Sequence, residues 1–168
     1  NGLVNMIKYK NKLLISIFIL FLSFGVGADN PLSPLKLDSP RETVSIFMNA
    51  MNEYKRAAQK NDEDKMLIIE NAIRCLDLRE VNPLVREEKG KEAAIFLKEA
   101  IDRVYVVDLS KIPSQSVKVE ENSPLLKWNI PDTEISIIRI PTGAREGEYV
   151  FAADTVNNAS EYYRRTKH

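Results

Sequence analysis

Histidine is nearly missing: the 168 residues hold one, His168, at the last position. With a single imidazole, no Ser–His–Asp, Cys–His or two-histidine metal arrangement can be assembled from this sequence. Cysteine is equally scarce. Cys75 stands alone, so no internal disulfide forms and the fold has to rest on burial. The six glycines make no Gly-x-Gly-x-x-Gly and no phosphate loop, which removes the usual nucleotide cradles. An excess of charge is missing too, with 24 basic against 24 acidic side chains. Lys8, Lys10 and Lys12 precede every acidic residue, so the remainder sets 21 basic against 24 acidic groups. A mildly acidic body has no electrostatic footprint for nucleic acid.

What is present first is an apolar leader. Lys8 to Lys12 form a positive segment, and Leu13 to Leu22 run apolar but for Ser16. Small residues at Val26 and Ala28 suit a signal peptidase cut after Ala28. The stretch from Leu13 to Ala28 is 16 residues, short of the roughly 20 that span a bilayer comfortably. The expectation is a signal peptide over 1–28 with an upstream extension before Met6, and therefore export; an uncleaved anchor is the alternative. Residues 29–38, with Pro31 and Pro34, read as an extended tether. A domain over 39–168 follows, and 44% hydrophobic composition gives it enough apolar surface for a core.

The order of elements predicts an α+β fold: three N-terminal helices, a small antiparallel hairpin or sheet, and a C-terminal helix. Ser39-Pro40-Arg41-Glu42 is a capping box, with Pro40 at the first helical position and Glu42 placed to reach the Ser39 amide. Val44, Phe47, Met48, Met51 and Tyr54 then recur at helical spacing. Two methionines and two aromatics can form an adaptable groove, but plain core packing explains them. After Asn61-Asp62-Glu63-Asp64 a second helix is expected to run through Met66, Ile69, Ala72 and Ile73 to about Cys75, with Leu76-Asp77-Leu78 closing it or turning. Cys75 reads as a buried, inert thiol. A third helix spans about Glu88 to Tyr105, with Lys91, Glu92, Lys98, Glu99 and Asp102 on its solvated face and Lys98 paired to Asp102.

Beyond Pro113 the period changes. Val117-Lys118-Val119-Glu120 alternates. Glu134 to Ile140 and Tyr149 to Ala152 flank the loop Thr142–Gly147 as a hairpin. Asp154 or Thr155 is expected to cap a last helix carrying Val156, Ala159, Tyr162 and Tyr163. Trp128, before a possible strand, reads as hairpin packing rather than a partner anchor.

The search for chemistry returns little. Asp62 with Asp64 and Glu87 with Glu88 are carboxylate pairs of the kind a glycosidase needs, yet solvation in charged segments accounts for them. Asn158-Ala159-Ser160 matches a glycosylation triplet inside the expected helix. No catalytic, cofactor-binding or metal-ligating residue is singled out, and the chain reads as non-catalytic.

A further pattern lies in the order of short pieces: Ser39-Pro40-Arg41-Glu42-Thr43 with Phe47 and Met51; Cys75-Leu76-Asp77-Leu78 followed by Gly90 and the helix through Leu97, Ile101 and Asp102-Arg103; Asp108-Leu109 and Pro113; Gly147 to Phe151; and Asp154-Thr155-Val156 with Tyr162. Over roughly 38–165 it resembles the soluble amino-terminal domain ahead of the membrane part in some small-conductance mechanosensitive channels. The resemblance implies a periplasmic head, tethered at the inner membrane, that modulates gating or assembly. It also implies two partners: a membrane-embedded channel portion following His168, and other copies of the chain. No pore residue has a counterpart here. A free periplasmic binding or adaptor module, taking a peptide, lipid or wall component, is the alternative.

Overall fold

The computed structural model describes residues 35–114 and 126–166, which belong to one compact unit. Their architecture is α+β: helices packed on a small three-stranded antiparallel sheet.

Helix α1 spans Pro40–Gln59. Ser39 Oγ accepts from the Glu42 amide at 3.3 Å, and Pro40 opens the first turn, where a missing N–H costs nothing. The box differs in one arm: the Glu42 carboxylate accepts from the Ser39 hydroxyl instead of the Ser39 amide. Val44, Phe47, Ala50 and Met51 are buried, while Met48 and Tyr54 pack half-buried beside them. The helix stops at Asn61, whose φ of 50° is left-handed. The Asp62 amide reaches back to Ala57 O and the Asn61 amide to Ala58 O, a Schellman closure that asparagine tolerates.

The expected second helix is two. α2 spans Glu63–Met66, capped by Asp62 Oδ1, and α3 spans Ile69–Arg74. Between them the amides of Ile68, Glu70 and Asn71 bond three residues back, a tighter winding. The tightening turns Ile69, Ala72 and Ile73 into the core and leaves Leu67 outside, 71% exposed. After α3 the chain does not simply turn. Leu76 forms a parallel bridge with Phe151: Phe151 donates to Cys75 O at 2.8 Å and Asp77 to Phe151 O at 2.9 Å.

A short 3-10 turn, Pro83–Val85, leads into α4, Arg86–Val104. Gly90 permits the contact between α4 and α3, since a Cβ there would lie 2.9 Å from both Ile73 Cγ2 and Leu78 Cδ1. One residue of the expected solvated face is not solvated. Lys98 is 7% exposed, with its ammonium bonded to the Asp102 carboxylate; its methylenes belong to the packing, and the one-turn spacing keeps the charge paired.

The sheet has order β1-β2-β3, from Lys127–Asn129, Ser136–Arg139 and Tyr149–Phe151. The expected hairpin is β2–β3, with Ile137 opposite Phe151. β1 adds a third strand, placing Trp128 opposite Ile137 and half-buried against the core. The Val117–Glu120 run lies outside the described residues. Leu37, in the stretch read as tether, is 1% exposed, and its carbonyl accepts from the Tyr149 amide at 2.7 Å.

The last helix is divided and capped differently from expectation. α5 spans Ala153–Asn157 with Ala152 at its N-cap, and α6 spans Ala159–Arg165. Thr155 is diverted from capping because its hydroxyl accepts the Ser136 amide at 2.9 Å, tying α5 to β2. At Asn158 the side-chain amide donates to Asp154 O, the carbonyl its own backbone N–H uses; such competition interrupts helices. Phe47 and Phe151 meet edge to face with centroids 4.9 Å apart at the centre of the core.

Candidate functional site

The groups that sequence patterns singled out for chemistry are scattered and already engaged. Asp62 caps α2 and pairs with Lys65 at 2.8 Å, while Asp64, Glu87 and Glu88 face solvent. Cys75 is fully buried, and burial pushes its thiol up to about 12, which removes thiolate at neutral pH. Asn158 and Ser160 are exposed, at the junction of α5 and α6 instead of within one helix. Trp128 sits in β1.

The structure instead assembles a groove of about 590 Å³ from three separate elements. Ala100 and Val104 come from the last turns of α4, Ile130 and Ile135 from the ends of the β1–β2 turn, and Tyr162 and Arg165 from α6. The turn is locally determined. Ile130 donates to Ile135 O at 2.9 Å and Thr133 donates to Ile130 O at 3.1 Å, while Pro131 fixes one central residue. Asp132 takes φ of 60° at the other. Proline followed by a left-handed residue is the signature of a type II turn, and aspartate is among the side chains that adopt that φ. The Thr133 hydroxyl donates to Ile130 O and accepts from the Ile135 amide, making the turn rigid.

Helix α6 forms the opposite wall. Tyr163 stacks on Phe96 of α4 at 5.2 Å, and the Arg103 guanidinium lies 4.6 Å from the Tyr163 ring. That grip presents Tyr162 and Arg165 to the groove. Arg165 bridges Glu134 at 3.2 Å and Glu161 at 2.9 Å, joining the turn to the helix. Burial, helped by the nearby Glu134 and Asp154 carboxylates, holds the Tyr162 hydroxyl above the usual phenol range, so it stays a neutral donor. An apolar floor with a neutral hydroxyl and an ion pair on its rim suits binding of an apolar group. A second recess of about 360 Å³ lies between α4 and the α5–α6 junction, with Lys89 and Glu92 paired at 2.8 Å on its edge.

Two arginines that sequence reading passed over fix the frame around these surfaces. Arg41 donates to Ile112 O at 2.8 Å and Ser110 O at 3.3 Å, pinning the segment after α4 to the start of α1. Arg145, in the β2–β3 loop, donates to Arg74 O and Leu76 O at the end of α3 and pairs with Glu148 at 2.7 Å. Their partners are backbone carbonyls about 70 residues away in sequence, so no local motif announces them. The Pro131-Asp132 step, between two isoleucine-bearing runs, was the available signal for the groove. Among the described residues no cluster of three His, Cys, Asp or Glu side chains could hold a metal ion, and no helix is long and apolar enough to cross a membrane. Comparison with protein-family models, with curated proteins and with solved structures returns no match.

Proposed function

We propose that this chain is an exported, non-catalytic head domain of a channel of the small-conductance mechanosensitive type, acting on gating or assembly through protein contacts. The observation supporting the reading is where the residues carrying the resemblance fall. Phe47, Met51, Cys75, Leu76, Leu78, Leu97, Ile101, Tyr149, Val150, Phe151 and Val156 belong to one buried cluster, and Gly90 sets the α3–α4 approach. They are residues that make a fold, so a resemblance carried by them concerns the scaffold of such a head domain rather than an active site. The test is the reading frame encoding the chain. Several further apolar segments of about 20 residues downstream of residue 168 are expected, and deletion of 39–166 should shift the tension at which the full protein opens in membrane patches. A frame without such segments sinks the proposal.

A second reading, a free-standing periplasmic binding module, is favoured by the α4–α6 groove, whose apolar floor and rigid turn suit a bound side chain or acyl group. Titration with short acyl or aromatic probes, read as chemical-shift changes at Ile130, Ile135 and Tyr162, separates the two.

A further inference from the structure

The charges around the groove between α4, the β1–β2 turn and α6 do not balance. Three carboxylates stand there, Asp132, Glu134 and Glu161, against two guanidiniums, Arg164 and Arg165. Arg165 bridges Glu134 and Glu161, and Arg164 shares Glu161. Asp132 is left over. It lines the groove, and among the described residues its carboxylate has no hydrogen bond and no ion pair. The threonine hydroxyls along the walls are engaged internally: Thr133 donates to Ile130 O at 2.9 Å and Thr166 to Tyr162 O at 3.0 Å. A field of the same sign reaches Tyr162, whose hydroxyl is held up by burial first and then by the Glu134 and Asp154 carboxylates, against the pull of Arg165.

We propose that this groove binds a small cationic amphiphile, a primary ammonium on an apolar stem, with the stem on Ala100, Ile130 and Ile135 and the ammonium at Asp132. The proposal rests on the second reading above, the groove as a binding site, and adds the sign of the ligand's charge. The unpaired group is a carboxylate, so an anionic ligand would meet net negative charge or have to displace Glu134 from Arg165. An ammonium brings three donors and no acceptor, which matches a rim where a carboxylate is unpaired and the threonine hydroxyls already donate elsewhere. The volume of about 590 Å³ is that of a small-ligand site. Asp132 and Glu134 are exposed, so their charge contributes selectivity more than affinity; an exposed ion pair changes binding by at most about five-fold.

Hexylammonium, hexanol and hexanoate share one stem and differ in charge. Each is titrated into the chain, with chemical shifts read at Ile130, Ile135 and Tyr162. Hexylammonium should bind about two- to five-fold more tightly than hexanol, and hexanoate more weakly than either. The difference should shrink as salt rises. Asp132→Asn keeps a side chain suited to the left-handed φ of that turn. It should abolish the preference for the ammonium over the alcohol while hexanol binds as before. Hexanol or hexanoate binding as well as hexylammonium to the unsubstituted chain overturns the proposal, whatever the variant does, and leaves the groove as a binding site. A preference that survives Asp132→Asn overturns it too. No shift with any of the three probes overturns the groove reading itself.

Discussion

At the scale of single residues, the fold depends on positions where one atom decides the fit. Gly90 is the clearest. A helix interior ordinarily favours alanine over glycine by about 1 kcal/mol, yet here a Cβ lies 2.9 Å from two side chains, one on α3 and one just beyond it. Gly90→Val adds an isopropyl group at that contact and should lower unfolding free energy by about 1–3 kcal/mol, measured as a reduced urea midpoint at unchanged slope. A midpoint equal to wild type would mean that α4 does not need the close approach. Asp77 gives a pH signature. Arg79 donates to it through its backbone amide and, bidentately, through its guanidinium at 2.8 Å, and these bonds hold the carboxyl below the usual range despite its burial. A carboxylate with a depressed folded pKa stabilises the fold fully above its unfolded value, about 3.9, and loses that contribution as pH falls through the folded value. Stability of the native chain should therefore decline below about pH 4, and Asp77→Asn should be less stable at neutral pH with a flatter acid limb. Parallel acid limbs would remove Asp77 from the account.

At the scale of elements, the sequence was legible where local chemistry and tertiary contact agree. The start of α1 is readable because Ser39, Pro40 and the Phe47–Met51 spacing all act within a few turns. The division of the second helix is not, since the apolar period from Met66 to Leu76 continues unbroken across the tightly wound step at Leu67–Ile68; where α3 stops is set by the bonds of β3 to Cys75 O and the Asp77 amide. Thr155 misled for a related reason. Its position before a helical run is that of a cap, but its hydroxyl serves the buried Ser136 amide across 19 residues of sequence. Lys98 was placed on the solvated face because its burial depends on what packs on α4, and no pattern within α4 records that. The groove was invisible because it needs the end of α4, a turn and α6 together, and of these only the turn, at Pro131-Asp132, carries a local sequence signal. The Thr155–Ser136 tie can be tested. Thr155→Val keeps the shape and removes the acceptor, leaving a buried amide unsatisfied, which costs about 1–3 kcal/mol. Thr155→Ser should recover most of that loss. A loss in Thr155→Ser with little or none in Thr155→Val would assign the effect to packing of the Thr155 methyl instead of to the hydrogen bond.

At the scale of the whole molecule, helices and sheet share one interior. Phe47 of α1 meets Phe151 of β3, Leu76 after α3 bridges the same residue, and Trp128 packs against the cluster that contains Leu97 and Ile101 of α4. The long-range ties run the same way, Arg41 from α1 to the segment after α4 and Arg145 from the hairpin loop to α3. Such a layout leaves no seam along which the sheet can separate with its own core, because its three strands of three or four residues bury their apolar side chains in the same cluster as the helices. Unfolding is then expected to be a single cooperative step. The lone tryptophan makes this measurable: Trp128 fluorescence reports the sheet edge, while far-UV circular dichroism is dominated by α1 and α4. The two urea transitions should coincide in midpoint and slope. A fluorescence transition at lower urea would mean that β1 peels away before the helices melt. The same pair of signals in Arg145→Ala should shift together, since freeing the hairpin loop from α3 weakens the common interior and not one half of it.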